Sequence, residues 1–339
     1  MRPMRLRSAN ISSADTLRPY VGDAVMNSMT HFLTDILQPV LTLWALFSNI
    51  VNIIVFGKMD MRDGLTVTFL VLSVSDGLMA MVLLMKSCIL MFDNFGYQGN
   101  TITYNSLVKV CLLALSFPLN LSLITTTVLA VVRCCCIAMP FKVRKIFTAP
   151  RQLIAISIVS SMVFSGYIYS ATFWELKWIV QLKRNATFII LFNNDYDTLG
   201  IVDTVRSIIF YLCLAVICVS ALILIVALNR SSMLRGGNNP AASLNRVSGN
   251  TRATTARRES QAVKSVILVL IIFIVCNFPV VFLSKVRLFD YGFSKGELLL
   301  ISAISGTFLV LNIDLNIFVY YFNSSRYRSI ANSMIGCQN

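Results

Sequence analysis

An arginine followed by three cysteines closes a long apolar run in "VLAVVRCCCIAMPFKVRK", residues 128–145. Thiols beside a cation could hold a metal, carry a lipid or build a charge switch. A metal centre needs ligands that converge. Adjacent helical residues point about 100° apart, so Cys134, Cys135 and Cys136 cannot close on one ion. The only histidine, His31, is remote in sequence. Packing is their expected role, with S-acylation the lesser alternative. Arg133 poses a different question, because a charge in a spanning helix costs about 2.5–3.5 kcal/mol at mid-membrane and less near an end. It can snorkel to the interface as a simple end marker, or it can hold a partner whose release matters. Asp76 and Asp314 lie in equally apolar surroundings. No catalytic set accompanies these residues, so an enzyme is not expected.

The elements that must position them are membrane helices. Of 339 residues, 56% are hydrophobic and 13% charged, more apolar surface than a soluble protein of this size can hide. The net charge of +14 is scattered between apolar runs rather than gathered on one face. That pattern suits loops beside lipid headgroups and argues against nucleic acid as a partner. Seven stretches reach the ~20 residues a span needs: 32–57, 65–92, 102–135, 152–174, 202–228, 264–285 and 298–322. In hydrocarbon the backbone must satisfy its own hydrogen bonds, so each is helical. The expected fold is all-α, an integral membrane seven-helix bundle. An extracellular N-terminus over 1–31, a seven-transmembrane domain over 32–322 and a cytoplasmic tail over 323–339 complete it. The N-terminal residues contain no apolar core of a cleaved signal peptide, so the first span is expected to direct its own insertion. Lys and Arg are more numerous on the inner side if the N-terminus is outside. The sequons at Asn10 and Asn185 then lie outside as glycosylation sites.

The sparse polar residues fall in a recognisable order. The first span carries "SNIVN" with Asn49, the second "LSVSD" with Asp76, and the third ends at Arg133 before Pro140 and Phe141. The sixth holds "FIVCNFP" ending at Pro279, and the seventh "NIDLNIFVYYFNSSRYR" with Asn316 and Tyr320. This arrangement resembles rhodopsin-like (class A) G-protein-coupled receptors over nearly the whole chain. "RCCCIAMPFKVRKI" is most similar to divergent molluscan-type chemosensory receptors, which resemble invertebrate peptide receptors. The chain departs from the family at Val132, Cys134, Asn277 and Ile317, and its fifth span has no proline.

The resemblance implies roles. Arg133 would restrain the sixth helix at rest and engage a heterotrimeric G protein when active, with Tyr320 part of the same switch. Val132 cannot pair with it, but Glu259, twenty residues before Pro279, stands where the family often places an acid. An Arg133–Glu259 pair would be charge-assisted. Glu259 could instead pair with Arg257, Arg258 or Lys264, a wet contact worth only about 0–1 kcal/mol. Asp76, Ser122, Asn277, Asn312 and Asn316 match a buried polar cluster that in the family holds a sodium ion. A protonated, hydrogen-bonded Asp76 is the alternative. Asn49 is expected to tie the first span to this network. Asp314, two residues from Asn316, points elsewhere.

Ligand class follows by exclusion. Leu115 stands where amine receptors carry an aspartate, and Val310 where opsins carry the retinal lysine. Lys86, Arg206 and Lys285 lean the outer pocket toward a peptide or an acidic water-borne molecule, the alternative for Arg206 being a local pair with Asp203 three residues earlier. No cysteine lies in an outer loop, so the family's usual disulfide cannot form, and whether Cys88 and Cys111 pair is open. The third inner loop, about 229–263, reads as flexible, with Ser260 in the basic context "RRES" as a phosphorylation site. After the seventh span, Tyr327, Ile330, Ala331, Met334 and Ile335 share one face of a short amphipathic helix lying on membrane lipid. Cys337 is a lipidation candidate. A plasma-membrane receptor is the leading function. A cation-linked transporter or channel is the alternative, although the paired repeats of transporters are missing.

Overall fold

The computed structural model describes the backbone of residues 13–94, 104–138, 147–172, 174–181, 186–193, 196–236, 246–289 and 293–336. Side chains are described within 22–92, 106–136, 147–169, 207–230, 263–283 and 293–334, together with Thr172, Thr204, Val205, Gln261 and Gly336. Seven helices are long and apolar enough to cross a membrane, so the chain is a multi-pass, all-α membrane protein.

The first span is longer than its apolar run. Helix α1 (Ser13–His31) passes through a π-helical turn at Phe32–Leu37 into α2 (Gln38–Gly57). Pro39 explains the turn: it has no N–H to give to the carbonyl of Asp35, so the ladder slips and the Gln38 N–H reaches Leu33. The slip re-routes the helix without stopping it. The second span is α3 (Gly64–Asn94), the third α4 (Tyr104–Ala138) and the fourth α5 (Ala149–Ala171). The fifth is α6 (Tyr196–Gly236) and the sixth α7 (Arg246–Phe289). These last two extend well into the segment expected to be a flexible loop. The stretch "RVSGNTRATTARRESQAVK", from Arg246 onward, is rich enough in Arg, Ala, Glu, Gln and Lys to carry the helix.

The seventh span is α8 (Lys295–Asp314) continued by α9 (Asn316–Asn323); Leu315 between them keeps helical φ and ψ, its N–H donating to the Leu311 carbonyl and its carbonyl accepting from the Val319 N–H. Its start is fixed by a capping box: Glu297 N–H donates to Ser294 Oγ, and Ser294 N–H donates to Glu297 Oε2. Helix α10 (Ser325–Ile335) follows, with Ser324 Oγ capping the Tyr327 N–H. Gly336 closes it in the left-handed conformation at φ 78°.

One β element accompanies the bundle among the described residues. Strands β1 (Trp174–Gln181) and β2 (Ala186–Asn193) pair antiparallel, Trp174 opposite Asn193 and Gln181 opposite Ala186. No cysteine is available to fix this segment by a disulfide. Its concentration of Trp, Ile, Val, Thr and Phe supplies the strand preference instead.

The interior is layered. At the Arg133 end, Phe56, Phe69, Leu72, Leu129, Leu270 and Phe273 belong to one apolar cluster. Toward the opposite end, Ala45, Met79, Leu83, Leu115, Val310 and Ile313 form a second. On the second span Asp76 lies between the two. Large apolar side chains such as Met162, Leu212 and Leu222 point outward, as expected where the solvent is lipid.

Two glutamines clamp spans together. Gln152 on the fourth span accepts from Thr68 Oγ1 at 2.9 Å, and its Nε2 donates to the Phe147 carbonyl at 2.9 Å. Gln38 on the first span donates to the Ala303 carbonyl at 2.8 Å and to Thr307 Oγ1 at 3.3 Å. Each is packed against a glycine. A Cβ at Gly64 would stand 2.5 Å from Gln152 Nε2, and one at Gly306 would stand 2.9 Å from Gln38 Nε2. Gly64→Ala therefore displaces the buried Gln152 amide and is expected to lower stability by about 1–3 kcal/mol, read as thermal unfolding in detergent. Gly166→Ala, where a Cβ meets nothing within 4 Å, should be neutral or slightly stabilising. Equal melting of the two variants would remove the clamp argument.

Candidate functional site

The centre of the bundle is held by one carboxylate. Asp76 is fully buried. Its Oδ1 accepts from Ser122 Oγ on the third span at 2.9 Å, and its Oδ2 accepts from Asn316 Nδ2 on the seventh at 2.8 Å. A single side chain thus joins three spans. Buried polar groups inside a membrane find partners only on neighbouring helices, and Ser122 and Asn316 provide them.

A second series of amides leads away from this junction. Asn49 Nδ2 donates to the Ala45 carbonyl at 2.9 Å and to the Ile313 carbonyl at 3.1 Å, which ties the first span to the seventh. Asn52 Nδ2 lies 3.5 Å from Asn49 Oδ1, and Tyr327 Oη donates to Asn52 Oδ1 at 2.5 Å. The C-terminal helix is thereby pinned to the first span. Burial pushes the Tyr327 hydroxyl above its ordinary range, so it remains a donor. Tyr327→Phe should cost about 1–3 kcal/mol, because Asn52 Oδ1 would lose its donor in a buried place. A melting temperature equal to wild type would show that the bond contributes nothing.

Not every polar residue expected here joins the junction. Asn277 is buried, but its Nδ2 donates to the Phe273 carbonyl on its own helix at 2.8 Å. The sixth span meets the seventh instead through Ser305 Oγ, which donates to the Pro279 carbonyl at 3.1 Å. Asn312 is buried and makes no side-chain hydrogen bond among the described residues. Asp314 is buried with neither carboxylate oxygen partnered among them.

Arg133 lies at the end of the third span, half-buried, with Nε enclosed and without a partner among the described residues. Among the described residues, the acid whose charge acts on it is Asp63, just ahead of the second span, although the two make no ion pair. Nothing in the sequence marks Asp63, because its nearness to Arg133 depends on how the helix ends stack. The Glu259 and Ser260 side chains lie outside the described residues. Cys134 Sγ contacts the Ser220 carbonyl of the fifth span at 3.5 Å, a packing role.

Tyr320 is 2% exposed, its ring against Phe69 at 4.7 Å, Phe56 at 5.0 Å and Tyr327 at 5.9 Å. Its hydroxyl has no partner among the described residues. It stands at the wall of a cavity of about 680 Å³ between the starts of the second span and α10 and the sixth span.

At the opposite end Lys86 is half-buried, with no ion pair among the described residues and Cys111 near enough to feel its charge. Cys88 and Cys111 are both free thiols. Leu115 is buried in the apolar layer below with Val310, so these two positions form a floor. The side chains of Arg206 and Lys285, and residues Asn10, Asn185 and Cys337, lie outside the described residues.

No protein-family model matches the chain, and no curated protein sequence matches it.

Proposed function

We propose that the chain is a rhodopsin-like receptor: it binds an extracellular peptide or small molecule and activates a heterotrimeric G protein across the plasma membrane. In this reading the N-terminus is outside and the Arg133 end faces the cytoplasm. The observation that carries it is the Asp76 junction. Ser122 and Asn316 meet on one carboxylate, and Ser122 shares a helix face with Arg133 about 16 Å further along. A ligand that shifts the third or seventh span must stretch or shorten those two hydrogen bonds. The strain passes along the third helix to Arg133 and along the seventh to Tyr320. Release of Arg133 from the sixth helix then opens a surface for the G protein.

Asp76 and Ser122 bring oxygen atoms from the second and third spans to one point, which suits a hard monovalent cation such as sodium. Bound there, sodium would supply a positive charge that balances Asp76 and favours the resting arrangement.

Asp314 supports a second reading, a cation-linked transporter or channel, because a buried carboxylate without a partner can serve a passing ion. Nucleotide exchange on G proteins and uptake of labelled sodium, measured in the same cells displaying the protein, separate the two. The receptor reading expects exchange above that of untransfected cells and no saturable uptake. Saturable uptake without exchange would replace it with the transporter.

A further inference from the structure

We propose that Asp314 is a proton-binding site: in the packed bundle its carboxyl is the neutral acid, and parting the first and seventh spans releases the proton to water. The site is separate from the Asp76 junction and does not depend on the receptor reading.

Asp314 faces the first span. Gln38 of that span donates to the Ala303 carbonyl at 2.8 Å and to Thr307 Oγ1 at 3.3 Å. Trp44 of the same span stacks on Phe318, ring centroids 6.3 Å apart. Ala303, Thr307, Asp314 and Phe318 follow one another at intervals of four, seven and four residues, so they form one stripe of the seventh span. The first span thus touches this stripe on both sides of Asp314 along the helix. Beside it, Asn49 Nδ2 reaches the Ile313 carbonyl at 3.1 Å. The carboxyl is shut in the seam between the two helices: Asp314 is 3% exposed, and both of its side-chain oxygens are enclosed without a hydrogen-bond partner among the described residues.

An ionised carboxylate in such a place gives up its hydration and receives nothing in return, so it must be neutralised. The surroundings offer no side chain to do it. The first span holds no charged or titratable residue from Gln38 to Gly57. The second span brings Asp76, but to Asn316, about 200° round the seventh helix from Asp314. The sixth span brings a thiol, Cys276, and at its inner end Lys264, which is exposed. At the outer end of the seventh span Asp23 stands against Gly296, and His31 bonds Asp35 at 3.0 Å. At the inner end α10 brings Arg326, Arg328 and Tyr327, the last bonded to Asn52. No lysine, arginine or histidine pairs with Asp314 among the described residues.

A small cation must therefore fill the role. A metal ion needs several converging oxygens. The hydroxyls along the seam are already committed to their own helices, Thr307 Oγ1 to the Ala303 carbonyl at 3.0 Å and Ser48 Oγ to the Ala45 carbonyl at 3.0 Å. No group of three acids, cysteines or histidines able to hold a metal occurs among the described residues. A proton needs a single oxygen, and it is the occupant that fits. Water entering as the first and seventh spans part would take that proton, and closing the seam again requires its return. Seam closure and proton binding are one linked event.

The test is NMR of the full-length protein in lipid bilayers near neutral pH, with the aspartate carboxyl carbons isotopically labelled. An un-ionised acid resonates upfield of ionised carboxylates. Wild type should show an upfield signal that is absent from Asp314→Asn and retained in Asp76→Asn. Asp314→Asn, whose amide has the shape of the neutral acid, should fold as wild type does. Heat unfolding in weakly buffered detergent with a pH indicator then opens the seam completely. Wild type should release about one proton more per chain than Asp314→Asn. A wild-type spectrum of ionised carboxylates alone would overturn the site, as would an upfield signal lost in Asp76→Asn and kept in Asp314→Asn. Equal proton release by wild type and Asp314→Asn would also overturn it, because sodium or any other counter-ion would leave the seam without a proton.

Discussion

Asp76→Ala should be the most damaging single substitution in the bundle. It strips an acceptor from Ser122 and from Asn316 together, and each buried donor left without a partner costs about 1–3 kcal/mol. Three spans lose their common point, so surface display should fall and thermal unfolding in detergent should move down by a matching amount. Asp76→Asn keeps one carbonyl oxygen and should recover part of the loss, because the amide can still accept from one of the two donors. If Asp76→Ala folds and melts like wild type, the junction is not what holds the second, third and seventh spans in register.

The second large effect concerns signalling rather than stability. Arg133 is half-buried and its Nε is already without a partner among the described residues, so truncating it removes little that holds the fold. Under the proposed function, Arg133→Ala should reduce G-protein activation by about fivefold or more while the protein remains on the surface, in line with the 1–3 kcal/mol by which coupled sites influence one another. Glu259→Ala should move activation the other way, because it removes the proposed restraint on Arg133. Asp63→Asn gives a further contrast, since among the described residues Asp63 is the acid whose charge reaches Arg133.

The seven spans were legible because lipid imposes a single rule, long apolar helices, and the residues follow it. Their ends were less so. The first span runs on past its expected start because Pro39 shifts the helix into a π turn instead of ending it. The seventh runs through Leu315 with its hydrogen-bond ladder kept, in line with Ile317 standing where the family has a proline; the hydrogen bond from Asn316 to a different span is not written in local sequence. The same limit governs the polar core. Helical spacing indicates which residues share a face, and it brings Ser122 to notice beside Arg133. It does not reveal which neighbour a face will meet, so Asn277 groups with Asp76 in sequence and instead bonds its own helix. The clamps of Gln38 and Gln152 and the Asn52–Tyr327 bond escape a sequence reading for that reason. An amide in an apolar run announces that it needs a partner, and only the packing names it. The apolar face of α10 was readable but not its partner: Tyr327 and Ala331, expected on lipid, pack into the bundle beside Phe56 and Tyr320.

The central claim is that this chain switches a G protein through Arg133. Its most direct test is basal G-protein activation in cells, with surface display measured in parallel, for wild type, Arg133→Ala and Glu259→Ala. The proposed function predicts activation above untransfected cells for wild type, more for Glu259→Ala, and about fivefold less than wild type or lower for Arg133→Ala. Three properly displayed proteins that all match untransfected cells would contradict it and leave the transporter reading, with Asp314 at its centre, the better account.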